Sequence, residues 1–147
     1  MQPQYLLLVH PVWQVAATLL GLYAAWLGIQ RLRSLHLGQN VGFARSRHAL
    51  AGKLALGGLI LGSLGGAVML LWMLRRWVLV GVHGWLGGVV VILALFGLIT
   101  GLILQYRPGP RKALPLAHGL VNLLVLALCL VQFYFGSLLL EALAPGD

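Results

Sequence analysis

The chain is short of charge and almost without acid. Only 8% of its 147 residues are charged, and Glu141 and Asp147 are its two acids. A soluble domain of this size carries about a quarter charged residues, so a soluble globular fold is excluded. Cysteine is nearly missing as well. Cys129 stands alone inside an apolar run, which rules out an intrachain disulfide and marks it as a small buried apolar residue. The first nine residues carry no positive charge, and no small-residue cleavage site follows. A cleavable leader is therefore not expected, and the first apolar segment should stay with the protein.

What the chain has instead is long uncharged runs. None of the residues before Arg31 is charged, nor are those from Leu54 to Leu74, Trp77 to Tyr106 or Ala113 to Leu140. Each run reaches the roughly 20 residues that a helix needs to cross a bilayer. Backbone groups left unpaired in hydrocarbon are too costly, so such runs must be helical. The reading is an all-α, integral-membrane, up-and-down four-helix bundle. It forms one domain over 1–147, with helices at about 6–30, 47–74, 78–105 and 114–140.

The formal charge of +8 does not point to nucleic acid, because of where it lies. Arg31, Arg33, Arg45, Arg47 and Lys53 surround the first loop, and Arg107, Arg111 and Lys112 occupy the third. The second loop has only Arg75 and Arg76. That asymmetry is the positive-inside pattern, with loops one and three cytoplasmic and both termini outside. Trp13, Trp72, Trp77 and Trp85, all near helix ends, read as interfacial anchors in membrane lipid.

Four histidines punctuate the apolar runs: His10, His48, His83 and His118, at intervals of 38, 35 and 35 residues. Each opens a helix, and an ionisable side chain at a membrane-spanning position is a functional-site hypothesis by default. Short links make sequential helices antiparallel. His10 and His83 then share the outer end on helices one and three. His48 and His118 share the inner end on helices two and four. These are diagonal partners, so each pair can face across the core. Two imidazoles facing each other suit the axial positions of haem, whereas a tetrahedral zinc site would need its ligands gathered in one place. No Cys-Xaa-Xaa-Cys-His segment is present, so the haem would be type b, held without covalent bonds. His36 lies in the first loop with no matched partner and reads as solvated.

The repeat goes further than histidine. Eighteen residues make five helical turns. Eighteen residues after the four histidines stand Gly28, Gly66, Gly101 and Gly136. On nearly the same face stand Ala24, Gly62, Gly97 and Gln132 at +14, and Gln14, Gly52, Gly87 and Asn122 at +4. A flat macrocycle gripped by two helices must pass close to the other two, and glycine allows that approach. The plainer reading is helix packing, since Gly58, Gly62 and Gly66 have GxxxG spacing. Arg75 and Arg76 outside, and Arg45, Arg47, Lys53 or Lys112 inside, are candidates to pair with haem propionates. Tyr106 and Asn122 are placed to touch a quinone near the inner haem.

Several segments resemble the core of the cytochrome b561 family of transmembrane di-haem electron carriers. His10-Pro11 is similar to that family's His-Pro at its first ligand. His83-Gly84-Trp85-Leu86-Gly87 is similar to its His-Ser-Trp-Leu-Gly segment, with glycine for serine. His48 follows a basic stretch, and Pro115-Leu116-Ala117-His118-Gly119 resembles the last ligand region. The resemblance covers the four-helix core; the family's two flanking helices and any ascorbate segment are missing from this chain. It implies one haem b on His10 and His83 and a second on His48 and His118. The chain also resembles small four-helix bacterial membrane proteins. The expectation is therefore a bacterial inner-membrane protein passing electrons to or from a quinone, a periplasmic cytochrome or other subunits of a membrane complex. Two rivals stand beside it. One is a cofactor-free structural or assembly subunit. The other is a small transporter, for which Thr18, Ser63, Thr100 and Gln132 are the few polar residues on offer.

Overall fold

The computed structural model describes residues 6–74 and 81–143. Four helices account for nearly all of them: α1 (Leu6–His36), α2 (Arg45–Leu74), α3 (Gly81–Tyr106) and α4 (Ala113–Leu143). No strand occurs among the described residues. All four helices are long and apolar enough to cross a membrane. The second loop, with Arg75, Arg76 and Trp77, lies outside the described residues.

α1 runs six residues beyond the expected end at 30. Arg31 and Arg33 stay helical because long basic side chains can reach polar surroundings from the last turns of a membrane helix. The terminator is Gly38, whose φ of 64° is the left-handed conformation that glycine adopts freely. There the Gln39 N–H returns to the Arg33 carbonyl at 3.1 Å, and Arg33 Nε–H donates to Gln39 Oε1 at 2.7 Å. Pro115 sits in the first turn of α4, where its missing N–H costs nothing.

The helices form a closed ring in which α1 touches α2 and α4, and α3 touches α2 and α4. Among the described residues the backbones of α1 and α3, and those of α2 and α4, do not approach each other closely, and only side chains meet across the diagonals. The diagonals are therefore held apart, and whatever they share must reach across the centre. Small residues at the helix contacts, Ala24, Ala51, Ala55 and Ala94, are buried and let the backbones come close. Large apolar side chains such as Leu61, Val68, Ile92 and Leu130 point outward. A water-soluble protein rarely exposes apolar surface on this scale, and lipid is its natural solvent. Arg45 fastens α2 to the end of α3. Its Nη2 donates to the carbonyls of Leu104 (3.0 Å) and Gln105 (2.9 Å), a cation set against a helix C-terminus.

One tier of side chains closes the middle of the bundle: Ala17, Leu59, Val90, Val125 and Cys129. Ala17, Val90 and Val125 each stand two turns beyond a histidine, so the tier lies between the two histidine ends.

Candidate functional site

The histidines meet in two pairs across the diagonals. The ring centroids of His10 and His83 are 6.2 Å apart with planes at 87°. Those of His48 and His118 are also 6.2 Å apart, with planes at 77°. On α1 the His48 ring is level with Ala24 and Gly28, which are 14 and 18 residues beyond His10. At 1.5 Å per residue the two tiers are about 21–27 Å apart.

Each ring is seated by the neighbouring helix. His48 Nδ1–H donates to the Ala24 carbonyl, and His10 Nδ1–H to the Gly62 carbonyl, both at 2.9 Å. A carbonyl can only accept, so Nδ1 carries the proton and Nε2 keeps its lone pair. His118 Nδ1 meets the Thr100 hydroxyl at 2.9 Å. His83 Nδ1 is buried without a partner. An acceptor for the second ring N–H fixes the orientation of a ligating imidazole and raises its basicity.

The four glycines at +18 take part in this seating. A Cβ on Gly28 would lie 3.1 Å from His48 Cε1, and one on Gly136 3.1 Å from His83 Cε1. One on Gly101 would lie 3.2 Å from His118 Cε1, and one on Gly66 only 2.5 Å from His10 Nδ1. The close approach expected for a macrocycle is used here by the imidazole of the next helix. There is a second effect. A helical Cβ leans toward the N-terminus over the preceding turn. Its absence uncovers the carbonyl four residues earlier. Gly28 exposes Ala24 O to His48, and Gly66 exposes Gly62 O to His10. Gly62 likewise exposes Gly58 O, which accepts from Trp13 Nε1–H at 2.8 Å. Gly87 exposes His83 O, which accepts from Gln132 Nε2–H at 3.0 Å. Gly97 gives its space to the Asn122 amide. On α1 and α2 the positions at +14 and +18 thus work as one unit, a carbonyl and the glycine that bares it.

A cavity of about 670 Å³ opens at the inner pair. Ligand pockets span about 300–1,000 Å³. His48, His118, Gly28 and Gly101 stand in its wall, its depth is apolar, and its mouth carries Arg31, Arg45, Lys53, Arg107 and Arg111. Arg47 and Lys112, expected as possible propionate partners, do not line it. At the outer pair a groove of about 430 Å³ runs between α1 and α2, lined by His10, Trp13, Gly62 and Gly66 but not by His83.

Other expectations need correction. His36 is not a loop residue: it closes α1, is half-buried and lines the inner cavity. Trp13 does more than anchor at an interface, since its indole is bonded to a helix carbonyl across the α1–α2 contact. Trp72 and Trp85 are exposed at helix ends. Gly52 has open space around it, and Tyr106 is exposed and does not line the inner cavity, whereas Asn122 does. Read from the sequence, Thr100 belongs only to a transport path. Its signal was its place on α3, one residue before Gly101 on the histidine-facing side.

No three His, Cys, Asp or Glu side chains come together among the described residues. A bare metal ion would find only two protein ligands in either pair. A metal that arrives with its own equatorial donors needs just two. At about 2.0–2.1 Å per metal–imidazole bond, and a ring radius of roughly 1.1 Å, two axial rings have centroids about 6.3 Å apart. Both pairs match that spacing.

The fold and the site together define a four-helix bundle, able to span a membrane, with a diagonal histidine pair near each end. Compared with family models, curated proteins and solved structures, the chain matches none.

Proposed function

We propose that the protein carries electrons across a bacterial inner membrane through two bis-histidine haem b groups, in the manner of the cytochrome b561 core it resembles. The observation that carries this reading is the equal 6.2 Å spacing of two imidazole pairs, on opposite diagonals and at opposite ends. Haem b supplies a one-electron ferric/ferrous couple when bound. The chain's part is to grip, orient and insulate. His10 with His83 would hold one haem, and His48 with His118 the other, through two imidazole nitrogens each. Two protein ligands per iron would disfavour oxygen binding and suit outer-sphere transfer. The carbonyls of Gly62 and Ala24 hold two of the rings with Nε2 available, and the Thr100 hydroxyl meets Nδ1 of a third, His118, whose Nε2 has the Asn122 amide nitrogen at 3.4 Å. The apolar depth of the inner cavity suits a porphyrin face, and its basic mouth suits carboxylates. The basic loops face the cytoplasm and both termini face outward. Donor and acceptor are separate molecules: a quinone, a periplasmic cytochrome or other subunits of a membrane complex.

The test is spectroscopic. Purified protein should give b-type α and Soret bands in a reduced-minus-oxidised spectrum and two haems per chain by pyridine haemochrome. His83→Ala and His118→Ala should each remove one haem. A colourless protein refutes the reading.

A further inference from the structure

Three of the four imidazoles have a hydrogen-bond acceptor for Nδ1, and they are not alike. His10 and His48 each meet a main-chain carbonyl of the neighbouring helix. His118 meets the hydroxyl of Thr100 instead, at 2.9 Å. Thr100 is buried in α3, 5% exposed. Its Oγ1 lies 2.8 Å from the Phe96 carbonyl and 3.1 Å from that of Gly97. With the hydroxyl proton on one of those carbonyls, the oxygen's lone pair is left to accept from His118 Nδ1–H, the tautomer that keeps Nε2 for a metal. The amide nitrogen of Asn122 is farther from that ring nitrogen, at 3.3 Å, and donates to His118's own carbonyl at 2.7 Å. Gly97 stands at +14 on α3, where Ala24 and Gly62 present their carbonyls. Here the threonine hydroxyl is interposed between carbonyl and ring.

We infer that Thr100 is a positioning residue that acts through His118 on the inner centre alone. The inference rests on the haem reading proposed above. A polarised Nδ1–H makes the imidazole a stronger donor through Nε2. A stronger donor favours the more highly charged ferric state and holds the potential of that centre down. No side chain plays this part for His10, His48 or His83 in the structure. The two centres are thereby tuned by different chemistry, and only the inner one can be retuned by a single side-chain change that leaves the main chain alone.

The experiment is a spectroelectrochemical titration of the purified, haem-loaded protein and two variants. Thr100→Val replaces the hydroxyl with a methyl of similar volume, and Thr100→Ser keeps the hydroxyl. His83→Ala, which leaves the inner pair intact, identifies the inner couple. Thr100→Val should raise the reduction constant of that couple by up to about tenfold, or about 59 mV for one electron, with the outer couple unmoved. Thr100→Ser should titrate like the parent. Loss of the inner haem in Thr100→Val, with both haems kept in Thr100→Ser, also supports the role. Two unmoved couples, two couples moving together, or serine behaving like valine overturns it while leaving the haem reading intact. A parent protein without haem overturns that reading instead.

Discussion

Gly66→Ala is the sharpest test of how the imidazoles are seated. The added methyl would lie 2.5 Å from His10 Nδ1 and 2.8 Å from Cε1, well inside van der Waals contact. The ring must move by about an ångström, while a metal–ligand bond tolerates only about 0.2 Å. The same methyl covers the Gly62 carbonyl and costs the Nδ1–H bond to it, about 1 kcal/mol. Overpacking adds about 1–3 kcal/mol, and the better helix propensity of alanine returns about 0.8–1 kcal/mol. The net is a loss of about 1–3 kcal/mol at the outer centre, or about 5- to 150-fold in haem retention. Gly101→Ala is the control. Its methyl would lie 3.2 Å from a single ring carbon of His118, which can yield by a few tenths of an ångström. Haem content measured by pyridine haemochrome after serial dilution in detergent separates the two. Gly66→Ala should fall toward one haem per chain and Gly101→Ala should stay near two. Equal retention in both, or earlier loss in Gly101→Ala, would refute the seating argument.

Two further outcomes follow from the geometry. The planes of each histidine pair cross at 87° and 77°. Crossed axial rings act almost equally on the two iron dπ orbitals, so frozen-solution EPR of the oxidised protein should show strongly anisotropic low-spin signals; ordinary rhombic spectra at both centres would mean parallel rings. Arg45→Ala should unfasten the last turn of α3, whose Leu104 and Gln105 carbonyls it holds. A lost cation at a helix C-terminus costs about 0.3–1 kcal/mol, so hydrogen exchange in that turn should quicken up to about fivefold, with no change elsewhere in α3.

The four-helix architecture and the diagonal pairing are legible in the sequence because both rest on coarse physics. Uncharged runs of bilayer length must be helices, short links make neighbours antiparallel, and histidines that open every helix then alternate between ends. The glycine repeat is legible too, but its purpose is not. Periodicity shows that Gly28 and Gly66 share a face with His10 and His48; it does not show that the space belongs to the next helix's imidazole and to a carbonyl one turn back. Those are contacts between helices, fixed by their relative rotation and axial stagger. The same limit hides Thr100 and Trp13, whose partners lie on other helices or on the main chain. His36 reads as a loop residue because the basic residues before it suggest an ended helix, whereas the turn at Gly38 sets the end.

The tier of Ala17, Leu59, Val90, Val125 and Cys129 has a consequence for energy conversion. Its side chains are apolar apart from the Cys129 thiol, and the buried Thr18 hydroxyl stands beside it. On the di-haem reading proposed above, an electron tunnelling from one histidine pair to the other would cross this layer. Its passage would be electrogenic: every 100 mV of membrane potential would add or remove about 2.3 kcal/mol per electron. Such a bundle would couple the rate and direction of charge flow to the voltage of the membrane that holds it.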